Sequence, residues 1–343
     1  MLQDDKGNRK YVFVCGLHRS GTSVLGRNVG RLEDCTGFKN TPFYIGTSLP
    51  IDEGEHLQDI YPLDLEYGGP GRFGFDPRTH RTENSELLTP ENVARLRASW
   101  HRYWDKSKMI CVEKTPGNIL MTRFLQAAFP NSYFIVIRRH PIAVSMSTQR
   151  MWSVKITSFH RLFEHWLHCY ELFGEDKKYL KHVYELTYED YIEDPAKYHQ
   201  EIAAFIGTRV PESGMEEVRR ANNKKYIDRW CALLNESGTR SYCRYIAQKY
   251  EPRVAKYGYS LTKELDAAAK LACASDKTSA VGGALYCLKA DMGAFLRRFH
   301  TLTPKLLIQA ILPDFILGRI RRARRSAALR KGEAAPEDMT AQI

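Results

Sequence analysis

Residues 11–29 read YVFVCGLHRSGTSVLGRNV, and the fold turns on how that stretch is cut. YVFVC (11–15) is a nearly continuous β-branched and aromatic run, the pattern of a strand covered on both faces. Gly16-Leu17-His18-Arg19-Ser20-Gly21 follows as a glycine-flanked loop, and Thr22 and Ser23 open a helical TSVLGRNVGRL. This order makes a cradle for an anion. Backbone N–H groups converge on it, the helix dipole favours negative charge, and the hydroxyls can donate. The Walker A pattern GxxxxGK[ST] nearly fits, but Thr22 stands at its lysine position, which tells against a kinase handling Mg-ATP. The bland alternative is an ordinary glycine-rich turn.

Working outward, MICVE (109–113), YFIVI (133–137) and HVYEL (182–186) are three more apolar runs of strand type. Between them lie helical patterns: TPENVARLRASWHRYW near 90–104, opened by Thr and Pro, and a stripe through Phe159, Leu162, Phe163, Trp166, Leu167, Tyr170 and Phe173. Strands separated by helical crossovers predict an α/β fold, a P-loop-NTPase-like parallel sheet flanked by helices, with ligands at the carboxyl ends of its strands. The stretch 37–86 holds no period and is dense in Gly, Pro, Asp and Thr, as expected of a lid or acceptor-binding insertion. Composition shifts near residue 260, so a domain is expected over 1–260 and a C-terminal extension with a basic amphipathic segment over 261–343.

Hydrophobic residues make up 43% and charged residues 27% of the 343, which excludes wholesale disorder. Eight cysteines, none in a CxxC pair, read as buried free thiols of a reducing compartment. No signal peptide is visible and no apolar stretch is long enough to span a bilayer, so a cytoplasmic protein is the expectation. The net charge is +11, but ten basic residues and one acid fall within 297–331 and supply nine of those charges. Beside LLIQAILPDFIL, that cluster suits an anionic membrane surface, or a basic tail packed on the domain or left in solvent. No nucleic-acid module is recognisable.

A second candidate anion site follows the YFIVI strand: Arg138-Arg139-His140-Pro141, with Ser147 eight residues after Arg139. RSGTS after the first strand, with R-x-P-x-x-x-x-x-S after a later one, resembles the sulfotransferase superfamily. Its Arg-bearing loop is similar to the carbohydrate and protein-tyrosine members. Further matches are Glu113-Lys114-Thr115-Pro116, Tyr188-Glu189-Asp190-Tyr191 with Asp194-Pro195, and AAFIG at 203–207, so that the resemblance spans about residues 10–258. His140 departs from it, standing where those proteins commonly have Asp. The resemblance implies 3′-phosphoadenosine 5′-phosphosulfate as donor and no metal. Arg19, Ser20, Gly21, Thr22 and Ser23 would hold the phosphosulfate, Arg139 and Ser147 the 3′-phosphate with Arg138 as fallback, and Tyr188 would lie beside the adenine. A hydroxyl of a carbohydrate or glycolipid would be the acceptor.

Sulfuryl transfer is in-line and loose like phosphoryl transfer, so Arg19, with Lys114 as second cation, would stabilise the leaving oxygen. The acceptor hydroxyl needs a base. Three carboxylates compete. Glu53 and Glu55 sit in IDEGEHLQD and Glu113 ends the MICVE strand; Glu53 is placed first, Glu113 next, and His56 is the candidate if no carboxylate serves. Gly68-Gly69-Pro70-Gly71-Arg72-Phe73-Gly74-Phe75 is either a shaped acceptor loop or rigid turn chemistry. His165 and His168 have metal-ligand spacing but no third partner, and read as ordinary histidines. A P-loop kinase of a small metabolite and a non-catalytic nucleotide- or polyanion-binding protein are the rival readings.

Overall fold

The computed structural model describes residues 9–44, 48–151, 158–218, 223–263, 285–289 and 292. The 297–331 cluster and nearly all of the 261–343 extension therefore lie outside the described residues. Those described form two compact units, one of residues up to 139 with 169–218, the other of 140–168 with residues from 223 on.

The first unit is built on five parallel strands: β1 (Lys10–Gly16), β2 (Cys35–Thr36), β3 (Ile110–Lys114), β4 (Ser132–Arg138) and β5 (Val183–Thr187), in the order β2-β3-β1-β4-β5. Four of these coincide within a residue with the apolar runs of the sequence. The fifth, two residues long and paired through Cys35–Ile110 and Thr36–Cys111, is too short to leave a periodic signature. Alternation along β1 serves two cores. Val12 and Val14 face α1 (Thr22–Val29), α6 (Tyr188–Glu193) and α7 (Pro195–Ile206) through Leu25, Tyr191, Ile202 and Ile206. Tyr11 and Phe13 face an aromatic layer in which Trp100 stacks on Phe129 at 5.4 Å.

The helices begin where the sequence places stop and start chemistry. Thr89 caps α2 (Pro90–His101) by accepting the Asn92 N–H at 3.2 Å, and Pro90 fills its first turn. α3 (Thr122–Ala128) follows β3 and leads into β4. Asp194 caps α7, which Gly207 ends in the left-handed conformation with φ 73°. The 37–86 stretch is irregular as expected, with four short 3₁₀ turns at Gly54–Leu57, Asp64–Tyr67, Phe73–Phe75 and Pro77–Thr79.

The second unit is helical: α4 (Pro141–Met151), the first half of α5 (Phe159–Asp176), α8 (Lys224–Asn235) and α9 (Arg240–Ala255). Its centre is the buried Trp230, edge-on to Phe163 at 5.5 Å, with its indole N–H on the Leu261 carbonyl at 2.8 Å. His140 begins α4. Its Nδ1 accepts the Ile142 N–H at 3.2 Å and its Nε2 lies 3.2 Å from the Ser260 carbonyl oxygen, so it takes over the capping that an Asp would perform there. The seven described cysteines are free, and all but Cys231 are buried. Among the described residues no helix is long and apolar enough to cross a membrane.

Candidate active site

The loops after β1, β3, β4 and β5 meet at the carboxyl ends of the strands. Arg19 (φ 69°) and Gly21 (φ 96°) both adopt left-handed backbone around the buried Ser20, the kind of turn that gathers successive N–H groups into an anion-binding concavity. Gly21 is the N-cap of α1. No side chain caps that helix and no acid stands in its first turn, which leaves its positive end for a ligand. A Cβ on Gly21 would meet Tyr188 Cδ2 at 2.5 Å, so only glycine fits.

Tyr188 heads α6 and is buried. The Arg139 guanidinium lies 4.2 Å above its ring and donates to the Arg19 carbonyl at 2.8 Å. Arg139, Tyr188 and the Arg19–Ser23 loop are thereby one cluster. Arg138 points elsewhere, with Nη1 3.4 Å from Glu185 Oε2, and Ser147 is buried on α4 in the second unit.

Lys114, at the end of β3, ties this loop to the 37–86 insertion. Its buried ammonium donates to Ser23 Oγ at 3.2 Å and lies 2.7 Å from Glu53 Oε1 and 3.2 Å from Asp52 Oδ2. Burial works against its charge, but Glu53 and Asp52 outweigh that and hold its pKa above the ordinary lysine value.

The two leading carboxylates part company here. Glu113 is fully buried. Its Oε1 accepts the Gly54 N–H at 2.8 Å and the Thr115 hydroxyl, and its Oε2 accepts the Asn118 amide. Burial pushes its pKa up to about 7. Glu53 is the partly exposed one, its side chain 17% accessible, and it faces Lys114.

Beside them sits a network in which sequence reasoning had missed a member. His18 Nε2 is 3.0 Å from Asp64 Oδ2, and the Asp64 N–H donates to Glu55 Oε2 at 3.1 Å. Burial penalises the Asp64 charge, yet His18 and then His56 outweigh it and hold the pKa below the usual carboxylate range. Nothing in the sequence joins His18 to an Asp 46 positions on. The carboxylates of Glu53 and Glu55 and the His56 imidazole bring ligand atoms within 4.8 Å of one another, the one such group of potential metal ligands among the described residues. His165 and His168 are not part of it. In the 68–75 loop, Gly68, Gly69 and Gly71 are left-handed and the buried Phe73 packs edge-on to His18 at 5.8 Å.

A profile of the sulfotransferase family matches residues 12–212. Three of the similar solved structures are sulfotransferases or sulfotransferase domains. One, from Mycobacterium tuberculosis, is 16% identical, with 60% of this chain and 69% of that chain covered and a TM-score of 0.46. The domain of the Synechococcus PCC 7002 olefin synthase is 15% identical over 75% of this chain and 97% of that one, with a TM-score of 0.41. The Alicyclobacillus acidocaldarius sulfotransferase is 15% identical over 72% and 96%, with a TM-score of 0.37. No curated protein matches the chain. The matched span runs from β1 to beyond α7 and takes in the 16–23 loop, the Lys114–Glu53 pair, Arg139 and Tyr188; over it the chain belongs to the sulfotransferase family and is a sulfotransferase enzyme.

Proposed function

We propose that this enzyme moves a sulfuryl group from 3′-phosphoadenosine 5′-phosphosulfate to a hydroxyl of a carbohydrate or glycolipid. The observation that carries the reading is the bridge made by Lys114, between Ser23 at the start of α1 and Glu53 of the insertion. The residues fit an anionic donor: an uncapped helix start, the left-handed turn at Arg19 and Gly21, and a guanidinium stacked on Tyr188 all suit phosphate and a base ring. Arg19, Ser20, Gly21, Thr22 and Ser23 hold the phosphosulfate in this reading, and Arg139 and Tyr188 its nucleotide end. When bound, the donor supplies the sulfuryl group and a phosphate leaving group.

The rest falls to the chain's own side chains. Glu53 accepts the proton of the acceptor hydroxyl. Lys114 and Arg19 supply fixed positive charge to the side facing the loop. Glu113, sealed by three donors, positions Gly54 and with it Glu53. His18 and Asp64 order the insertion above the loop. The acceptor class rests on the Arg-bearing form of the loop, and a cytoplasmic site at an anionic membrane surface rests on the 297–331 sequence. Transfer of labelled sulfate to a panel of carbohydrate, glycolipid and phenolic acceptors tests the acceptor, and activity on phenols alone would overturn it. Removing 297–343 is expected to leave donor binding intact and weaken binding to anionic vesicles; unchanged vesicle binding would dismiss the membrane role.

A further inference from the structure

The helical unit contains a cavity of about 970 Å³, at the upper end of ligand-cleft volumes, and nothing in the proposed transfer chemistry uses it. Its buried lining is mostly apolar: Met146 of α4, Leu233 of α8 and Cys243 of α9 are buried, with the buried Ser158 as the polar member, and Phe159 at the start of α5 is half-buried. Its mouth is basic. Lys225 and Arg229, one turn apart on α8, and Lys289 of the 285–289 segment are exposed and line it, and among the described residues no carboxylate does. Arg229 Nη1 also pairs with Glu236 at 2.6 Å. Tyr226, Tyr242 and Ser241 also line it. The 285–289 segment, whose Tyr286 and Lys289 line the cavity, also exposes Leu285 and Leu288, at 61% and 58%.

A mostly apolar buried lining with exposed cations has a definite complement. We propose that this cavity binds a single-chain anionic amphiphile, its hydrocarbon chain over Met146, Phe159 and Leu233 and its carboxylate or phosphate head at Lys225, Arg229 and Lys289. The chain buries apolar area, which drives binding, and the head is held by Lys225 and Lys289 with Arg229, whose charge is shared with Glu236, at an exposed rim where little desolvation is needed. A neutral sugar would leave the cations unused, and a bare anion would leave the apolar lining wet.

The test uses the full chain and dansyl-labelled undecanoic acid as probe. Saturable one-to-one binding is expected, at least tenfold tighter than for the methyl ester of the same probe. Lys225→Gln with Arg229→Gln should erase most of that tenfold preference while leaving ester binding unchanged. Ser241→Trp, which puts a bulky ring on the cavity lining, should abolish binding of both. Both charge substitutions are at exposed helix positions and keep the test valid if the Trp variant does not fold. Equal binding of acid and ester overturns the proposal, as does binding that never saturates or is indifferent to the charge variant. A further arm sets monomeric lysophosphatidate against vesicles containing phosphatidate: binding of the monomer supports a single-chain ligand, and binding of the vesicles alone overturns it.

Discussion

The Glu113 carboxylate, with no exposure at all, holds the Gly54 N–H at 2.8 Å across 59 residues of chain. Gly54 is gripped from its other side by Trp100, whose indole N–H reaches the Gly54 carbonyl at 2.8 Å. The residue after Glu53 is thus fixed at both its polar groups, and Glu53 inherits that position beside Lys114.

Burial lifts the Glu113 pKa from 4.5 to about 7. Between those values the folded chain keeps a proton that the unfolded chain has released. Stability is therefore full below about pH 4.5 and declines as pH rises toward 7, by about 3 kcal/mol. Glu113→Gln should remove that decline. The Asn118 Oδ1, a buried atom with no hydrogen-bond partner, can accept from the new amide if Asn118 turns over. Denaturant unfolding of both proteins at pH 5 and pH 8 checks this; equal slopes would refute it.

Glu53→Gln should lower turnover on the order of 10²–10³ with donor affinity kept, and Lys114→Met should lower it by a similar factor. Because the two side chains are paired, the double variant should fall well short of the product of the single losses. Single-turnover rates measure both. Full additivity would mean that the two act independently.

Gly26→Ala is expected to cost roughly 1–3 kcal/mol and to lower turnover, although alanine favours helices. A Cβ there would sit 2.8 Å from both Cβ and Cγ of Lys114, pushing the lysine stem off its line to Ser23 and Glu53. Thermal melts with parallel rate measurements decide the matter. A more stable, fully active variant would show that the stem can yield.

Donor affinity should separate ring from hydroxyl at position 188. Tyr188→Phe keeps the surface under Arg139 and should bind as the native enzyme does, whereas Tyr188→Ala should weaken binding about tenfold. Arg139→Lys should not restore a planar stack. Calorimetric titration with the desulfated nucleotide, 3′-phosphoadenosine 5′-phosphate, reads all three.

Four strands and the cradle were legible because each is local: an apolar run followed by glycines and hydroxyls states its structure within about ten residues. β2 was not, since two residues have no period. The choice between Glu53 and Glu113 was also out of reach, because both are acids beside a turn, and only the contact between Gly54 and Glu113 shows which is sealed and which is open. The pairing of His18 with Asp64 is not legible either, as a contact across an irregular insertion leaves no spacing to read. Arg138 and Arg139 are alike in sequence, and only the structure shows the Arg138 guanidinium 3.4 Å from Glu185 and that of Arg139 over Tyr188.

His140 gives the start of α4 a property that an aspartate would not. With Nδ1 accepting from Ile142 and Nε2 donating to the Ser260 carbonyl, the imidazole has to be the neutral tautomer carrying its hydrogen on Nε2. A second proton, on Nδ1, would turn acceptor into donor and set it against the Ile142 N–H, while the link to Ser260 could persist. One ring thereby joins the helix start to the chain 120 residues away. An aspartate cap meets only the N–H groups of its own helix; here one ring serves two partners, the Ile142 N–H on one nitrogen and the Ser260 carbonyl on the other.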